Sequence, residues 1–144
     1  MPGQLISMPA FLVQITLPVV LALFHVVGPM PTDLATDGGH LSPCTGPEHC
    51  ASSQWIVKDS SAALKQLSER IKATPRTEIV EQRANYLHAT YSSRIFGFVD
   101  DVELSATDAV TLEARSISRL GESDLGVNAQ RLESLGTTIE TPEA

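Results

Sequence analysis

The sequence predicts an α+β domain: a small antiparallel sheet of about four strands flanked by two helices, preceded by an N-terminal hydrophobic helix and a loop-rich linker. Three observations predict it. Four segments of alternating apolar and polar residues follow one another between Thr77 and Arg119 with short turns between them. A stripe of apolar residues at helical spacing precedes this series and another follows it. Charge divides the chain, since no Lys or Arg precedes Lys58; residues 1–57 carry only Asp33, Asp37 and Glu48, and residues 58–144 hold all 10 basic groups and 14 of the 17 acidic ones.

The first element is Ala10 to Val27, eighteen residues without a charge, broken only by Gln14, Thr16, Pro18 and His25. A helix of that length reaches about 27 Å, slightly short of a hydrocarbon core of roughly 30 Å. Its twelve Leu, Ile, Phe and Val residues favour insertion by about 4 to 7 kcal/mol, reduced by the polar interruptions. The competing reading, a buried core helix, suffers because a domain this small has few neighbours to cover a helix that is apolar all round. Residues 1–28 are therefore expected to form an anchor or signal segment. A cleaved signal would have a basic start and small residues before the cut, whereas this one lacks Lys and Arg and exits through Val-Val-Gly-Pro-Met-Pro, so a retained anchor is favoured.

Residues 29–54 turn to Pro, Gly, Ser, Thr and Asp, with Asp37-Gly38-Gly39 and Gly46-Pro47 as turn signals. They read as a linker and cysteine loop. Cys44 and Cys50 flank Gly46-Pro47, and in an oxidising compartment they would close a small loop worth about 2 kcal/mol; two reduced thiols fit the sequence equally well. A metal held by His40, Cys44, His49 and Cys50 is disfavoured by the spacing, and no metal or cofactor is expected.

Residues 55–136 form the predicted α+β domain. Asp59, Ser60 or Ser61 can cap a helix carrying Ala63, Leu64, Leu67 and Ile71, which Pro75 stops. Strand patterns follow at Thr77 to Arg83, Tyr86 to Arg94, Phe98 to Ser105 and Ala109 to Arg119, as an antiparallel meander. Ser123 or Asp124 opens a final helix with Val127, Arg131, Leu132 and Leu135, ended by Gly136, and residues 137–144 are a polar tail.

The net charge of −7 excludes a nucleic-acid binder, which needs clustered Lys and Arg against phosphate. In Phe96-Gly-Phe-Val-Asp-Asp-Val-Glu-Leu104, parity sends Phe96, Phe98, Val102 and Leu104 to the core but carries Asp100 with them, so that carboxylate requires partners. With a turn centred on Thr107, Asp101 and Glu103 face the other way and Arg115 is diagonal to Asp101. The plain reading is a surface ion-pair ladder worth under about 1 kcal/mol per pair. The sharper reading is a ligand or partner face built from Asp100, Asp101, Arg115, Ser116, Ser118, Arg119, Ser123, Asp124 and Asn128, at a strand-to-helix junction with free backbone N–H groups. No nucleophile, base and orienting group come together. Gly-Glu-Ser-Asp-Leu-Gly does not match Gly-x-Ser-x-Gly, and His88 is the only histidine of the folded part.

The segments SPCTGPEHCASSQ, FGFVDDVEL and RSISRLGESDLGVNAQRLESL, in this order, resemble the domain-of-unknown-function family 1499, especially cyanobacterial members with an N-terminal hydrophobic segment. The resemblance runs from about Leu41 to Leu135. Departures are His49 where Asn is usual, Ile117 where Ala is usual, and Glu122 where an aromatic is frequent. The resemblance implies a membrane-associated or exported α+β domain and carries no activity with it. The expected function is a membrane-anchored, non-enzymatic binding or assembly module on the periplasmic or thylakoid-lumenal side, held through residues 10–27, with a membrane protein or a small molecule as partner. The alternative is a small enzyme using the Asp100/Asp101 and Arg115/Arg119 cluster.

Overall fold

A computed structural model describes residues 27–141; the hydrophobic run from Ala10 lies outside them apart from Val27. No helix among the described residues is long and apolar enough to cross a membrane. The elements in chain order are a two-residue hairpin, β1 (Thr36–Asp37) and β2 (His40–Leu41), then β3 (Cys50–Ile56), α1 (Ser60–Ala73), β4 (Thr77–Gln82), β5 (Tyr86–Ser92), β6 (Val99–Ala106), β7 (Thr111–Ser118) and α2 (Val127–Gly136). The class is α+β, as the sequence predicts. The main sheet has five antiparallel strands in the order β3-β7-β6-β5-β4 rather than four.

The extra strand, β3, lies where the sequence reads as linker. Its residues Cys-Ala-Ser-Ser-Gln-Trp-Ile alternate in exposure but not in hydrophobicity, because Ala51 and Ser53 are small where they face α2. The same strand lies close against α2 at Trp55. A Cβ added to Gly136 of α2 would stand 2.8 Å from Nε1 and 3.0 Å from Cε2 of Trp55, so helix and strand approach more closely than side chains on both would permit.

Both helices cover one face of the sheet. Leu64, Leu67 and Ile71 from α1 and Leu132 and Leu135 from α2 meet Leu87, Ala89, Val102, Leu104, Leu112 and Ala114, all buried. The Asp59 carboxylate caps α1 by accepting from the Ala62 N–H at 3.0 Å. Ser60 ties the same helix end to the β6–β7 turn, its N–H donating to the Ala109 carbonyl at 2.9 Å. The tail is less free than its composition predicts: Ile139 joins the core, and the Lys58 N–H donates to the Glu140 carbonyl.

Two local expectations are corrected. The β6–β7 turn is not centred on Thr107, because the Asp108 carboxylate accepts from the N–H groups of Val110 and Thr111, both at 2.8 Å, and moves the turn two residues on. Phe96 and Phe98 do not reach the core. β6 begins only at Val99, so both rings precede the strand and stay exposed, stacked on each other at 5.4 Å between centroids.

Gly136→Ala separates helix propensity from packing. Propensity alone would stabilise α2 by about 1 kcal/mol, but the added methyl displaces the Trp55 ring, and a net loss of about 1 to 3 kcal/mol is expected in urea melts. A more stable variant would refute the close approach.

Candidate functional site

The sheet face opposite the helices is polar and nevertheless buried. Tyr86 and His88 of β5, Asp101, Glu103 and Ser105 of β6 and Arg115 of β7 all point to it, and all are buried. Strand alternation places them there, since each is one step out of phase with the apolar residues that meet the helices. Residues 33–41, including the β1–β2 hairpin, cross this face as a strap. The attachments are almost all polar. Asp33 accepts from Arg115 Nη2 at 2.6 Å, the Ala35 N–H donates to Glu103 at 2.7 Å, Ser105 Oγ donates to the Gly39 carbonyl at 2.8 Å, and the Leu41 N–H donates to Glu113 at 3.0 Å. Ala35 adopts a left-handed backbone, φ 81°, to aim its N–H at that carboxylate, and such strain in a residue with a Cβ persists only where its surroundings impose it.

Glu103 is the centre of the first cluster. It accepts from the Tyr86 hydroxyl at 2.7 Å, from Arg115 Nη1 at 3.2 Å and from the Ala35 N–H. Burial, then the hydrogen bond to Glu103, pushes the Tyr86 hydroxyl well above its ordinary range, so it stays a donor. Asp101 centres the second. Arg119 grips it with Nε on Oδ2 at 2.7 Å and Nη2 on Oδ1 at 2.8 Å, and His88 Nε2 stands 2.7 Å from the same Oδ1. Burial acts to raise the Asp101 carboxyl, but the hydrogen bonds from Arg119 and His88 outweigh it and hold the group below the usual carboxylate range.

The predicted site residues therefore divide between two faces. Asp101, Arg115 and Arg119 lie beneath or beside the strap. Asp100, Ser116, Ser118, Asp124 and Asn128 belong to the helix side. There, Arg131 of α2 donates to Asp100 at 2.7 Å and to Ser116 Oγ at 2.9 Å, and Asn128 Nδ2 donates to Asp124, Ser118 Oγ and the His49 carbonyl. This network supplies the partners that Asp100 requires and fastens α2 to the sheet. Asp124 accepts from the N–H groups of Gly126 and Asn128, ordering the approach to α2, which starts at Val127 rather than at Ser123 or Asp124. Ser123 Oγ accepts only a 3.3 Å bond from the Leu125 N–H.

The expected Arg115–Asp101 pair does not form. The displaced turn sets Glu103 opposite Arg115 and Asp101 opposite Ile117, leaving Arg119 as the diagonal partner of Asp101. Neither pair is a surface ladder: the side chains of Glu103 and Asp101 are 1% and 0% exposed. Asp100 and Asp101, being adjacent in one strand, project to opposite faces and cannot act on one substrate together. His88, Tyr86 and Asp33 are participants that the sequence reading omits. Strand parity places the first two with Glu103, whereas nothing local marks Asp33.

One region beside these clusters is open. A cleft of about 290 Å³ runs between Leu41, Ser42 and Pro43 of the strap's end and Ser52, Gln54, Glu113 and Arg115 of the sheet. Among the described residues, Arg115 Nε is the buried side-chain donor left without a partner. The cleft follows the outer edge of β3. The Ser118 N–H donates to the His49 carbonyl and the Val57 N–H to the Val110 carbonyl, which fixes the phase of the β3–β7 ladder. Ala51, Ser53 and Trp55 thus exchange bonds with β7, and Ser52, Gln54 and Ile56 direct theirs outward. Cys44 and Cys50 are disulfide-bonded at the head of this edge, with Cα atoms 5.6 Å apart, so neither is a thiolate ligand for a metal.

Arg119→Ala removes the bidentate partner of a fully buried carboxylate, and an expected loss of about 3 to 5 kcal/mol at pH 7 follows. Because the folded Asp101 is depressed, its contribution is present above the unfolded value near 3.9 and disappears as pH falls through the folded one. The difference between wild type and variant in urea melts should therefore narrow below about pH 4. A difference independent of pH would remove Asp101 as its cause.

A search of curated proteins finds no match to this chain. A family model, described as protein of unknown function (DUF1499), matches residues 31–139, which takes in the strap, the whole sheet and both helices. The chain belongs to the DUF1499 family.

Proposed function

We propose that the protein is a membrane-anchored, non-enzymatic binding or assembly module that takes up an extended segment of a partner protein along β3, with its domain on the periplasmic or lumenal side. The observation that carries this reading is the open edge. Ser52, Gln54 and Ile56 offer backbone donors and acceptors that no group among the described residues takes up, and an added strand would satisfy them. The opposite edge contrasts with it: β4 carries Glu78 and Glu81 and a register shift between Ile79 and Glu81, devices that discourage strand pairing. Alternate side chains of the incoming segment would enter the polar cleft, where Arg115 lies. Catalysis is less well served, because Asp101, Glu103 and His88 are each engaged in internal hydrogen bonds.

The run from Ala10 to Val27 supports the anchor, and the Cys44–Cys50 disulfide supports an oxidising compartment. Carbonate washing of native membranes should leave the full-length chain in the pellet. Its release into the supernatant would exclude a spanning anchor.

Gln54→Pro tests the edge. Proline deletes an outward N–H and leaves the bonds to β7 intact. The variant should melt close to wild type and lose the protein that co-purifies with it from native membranes, identified by mass spectrometry. A folded variant that keeps its partner would exclude strand addition, and a retained small molecule in place of a protein would reassign the cleft.

A further inference from the structure

The end of the sheet where β5 stops, β6 starts and β7 stops carries an apolar rim with no partner in the fold. Ile95, Phe96 and Phe98 in the β5–β6 turn, Leu125 ahead of α2 and Val127 at its first position are all exposed, Ile95 by 72% and Leu125 by 88%. Leu125 holds a left-handed backbone, φ 53°, which a leucine rarely adopts, and its side chain gains no burial from it. Between the two loops a cleft of about 280 Å³ is lined by Phe98, Leu120, Leu125 and Val127.

Where the chain enters the domain identifies the occupant. A Cβ on Gly28 would lie 2.6 Å from Leu120 Cγ and 2.8 Å from the Arg119 carbonyl, so the backbone at residue 28 is pressed against this same rim. The preceding residue, Val27, is exposed and ends the apolar run that starts at Ala10. No spacer separates that run from the rim. With the run in the bilayer, a reading this inference rests on, the rim is held within a residue or two of the headgroups.

We infer that this rim, formed by the 95–98 turn and the 120–127 loop, docks on the lipid surface beside the anchor and fixes the orientation of the domain on the membrane. Its composition suits that position. Aromatic and aliphatic side chains enter the headgroup boundary, and the exposed Arg94 next to Ile95 can reach lipid phosphates. The geometry also agrees with strand addition, because the edge of β3 runs away from this end and remains accessible.

The test uses the full-length chain in vesicles of phosphatidylcholine and phosphatidylglycerol, with and without brominated acyl chains as quenchers of tryptophan emission. Trp55 is the one native tryptophan and supplies the baseline. Phe96→Trp and Leu125→Trp should each add emission that the brominated lipids largely abolish. Val110→Trp, in the exposed β6–β7 turn at the other end of the sheet, should add emission that they leave intact. If the chain floats with the vesicles but positions 96 and 125 are not quenched, docking is overturned while the anchor stands. A stoichiometric cross-linked dimer through position 96 with no quenching would give the rim to a second copy and overturn the lipid assignment. A chain that fails to float overturns both.

Discussion

A carboxylate buried on a sheet face that no helix covers organises this domain. Glu103 lies at the middle of the central strand, and an ionised group there requires several donors before burial is tolerable. Tyr86 and Arg115 supply two from neighbouring strands, but a third comes from the backbone of Ala35, which belongs to the strap. The strap is thus recruited by the charge it covers. Arg115 extends the same logic to Asp33, so the segment between the N-terminal run and the disulfide is bonded to the sheet mainly by polar groups. Such an arrangement adds little hydrophobic stabilisation but fixes one register, because the donors and acceptors of strap and sheet meet only in one alignment.

The two faces of the sheet solve different problems. On one, a compact apolar core is interrupted by Asp100, which Arg131 and the Ser116–Asn128 network absorb. Arg131 also stands over the Tyr91 ring at 4.6 Å, so its cation is used twice. On the other, charge pairs take the place of a core. The helices are consequently fastened by packing plus a satisfied network, and the strap by hydrogen bonds and ion pairs whose strength depends on keeping water out. Within the second arrangement, the Asp101–Arg119 pair is lost only as pH falls below the usual carboxylate range, where Asp101 takes up its proton.

Position in the sheet separates three tasks. The β4 edge is guarded by carboxylates and an irregular register, the β3 edge is open, and one end of the sheet gathers exposed apolar residues beside the entry of the chain. The disulfide sits at the head of β3, where it restrains the short loop between the strap and the open edge. Anchoring, orientation and partner uptake would therefore act at adjoining parts of the domain without competing for the same residues.

What the sequence by itself determined is the local order: the α+β class, the bounds of α1, the four strands of the meander and the sides to which Asp100, Asp101, Glu103 and Arg115 point. Those follow from periods of 2 and 3.6 and from caps such as Asp59, which are properties of a short stretch of chain. Asp100 was legible as a core-facing charge for the same reason. β3 was not legible, since Ala51 and Ser53 give it no hydrophobic alternation, and the close contact that seats it on α2, Trp55 against Gly136, joins positions over eighty residues apart in sequence. Pairing was decided by tertiary structure too. Moving the β6–β7 turn by two residues keeps every side chain on its face but slides each partner by four, which gives Arg115 to Glu103 and Asp101 to Arg119. Alternation fixes a face and is blind to such a slide; the Asp108 carboxylate that closes the turn, and the strap whose Asp33 and Ala35 complete the pairs, settle the register between them.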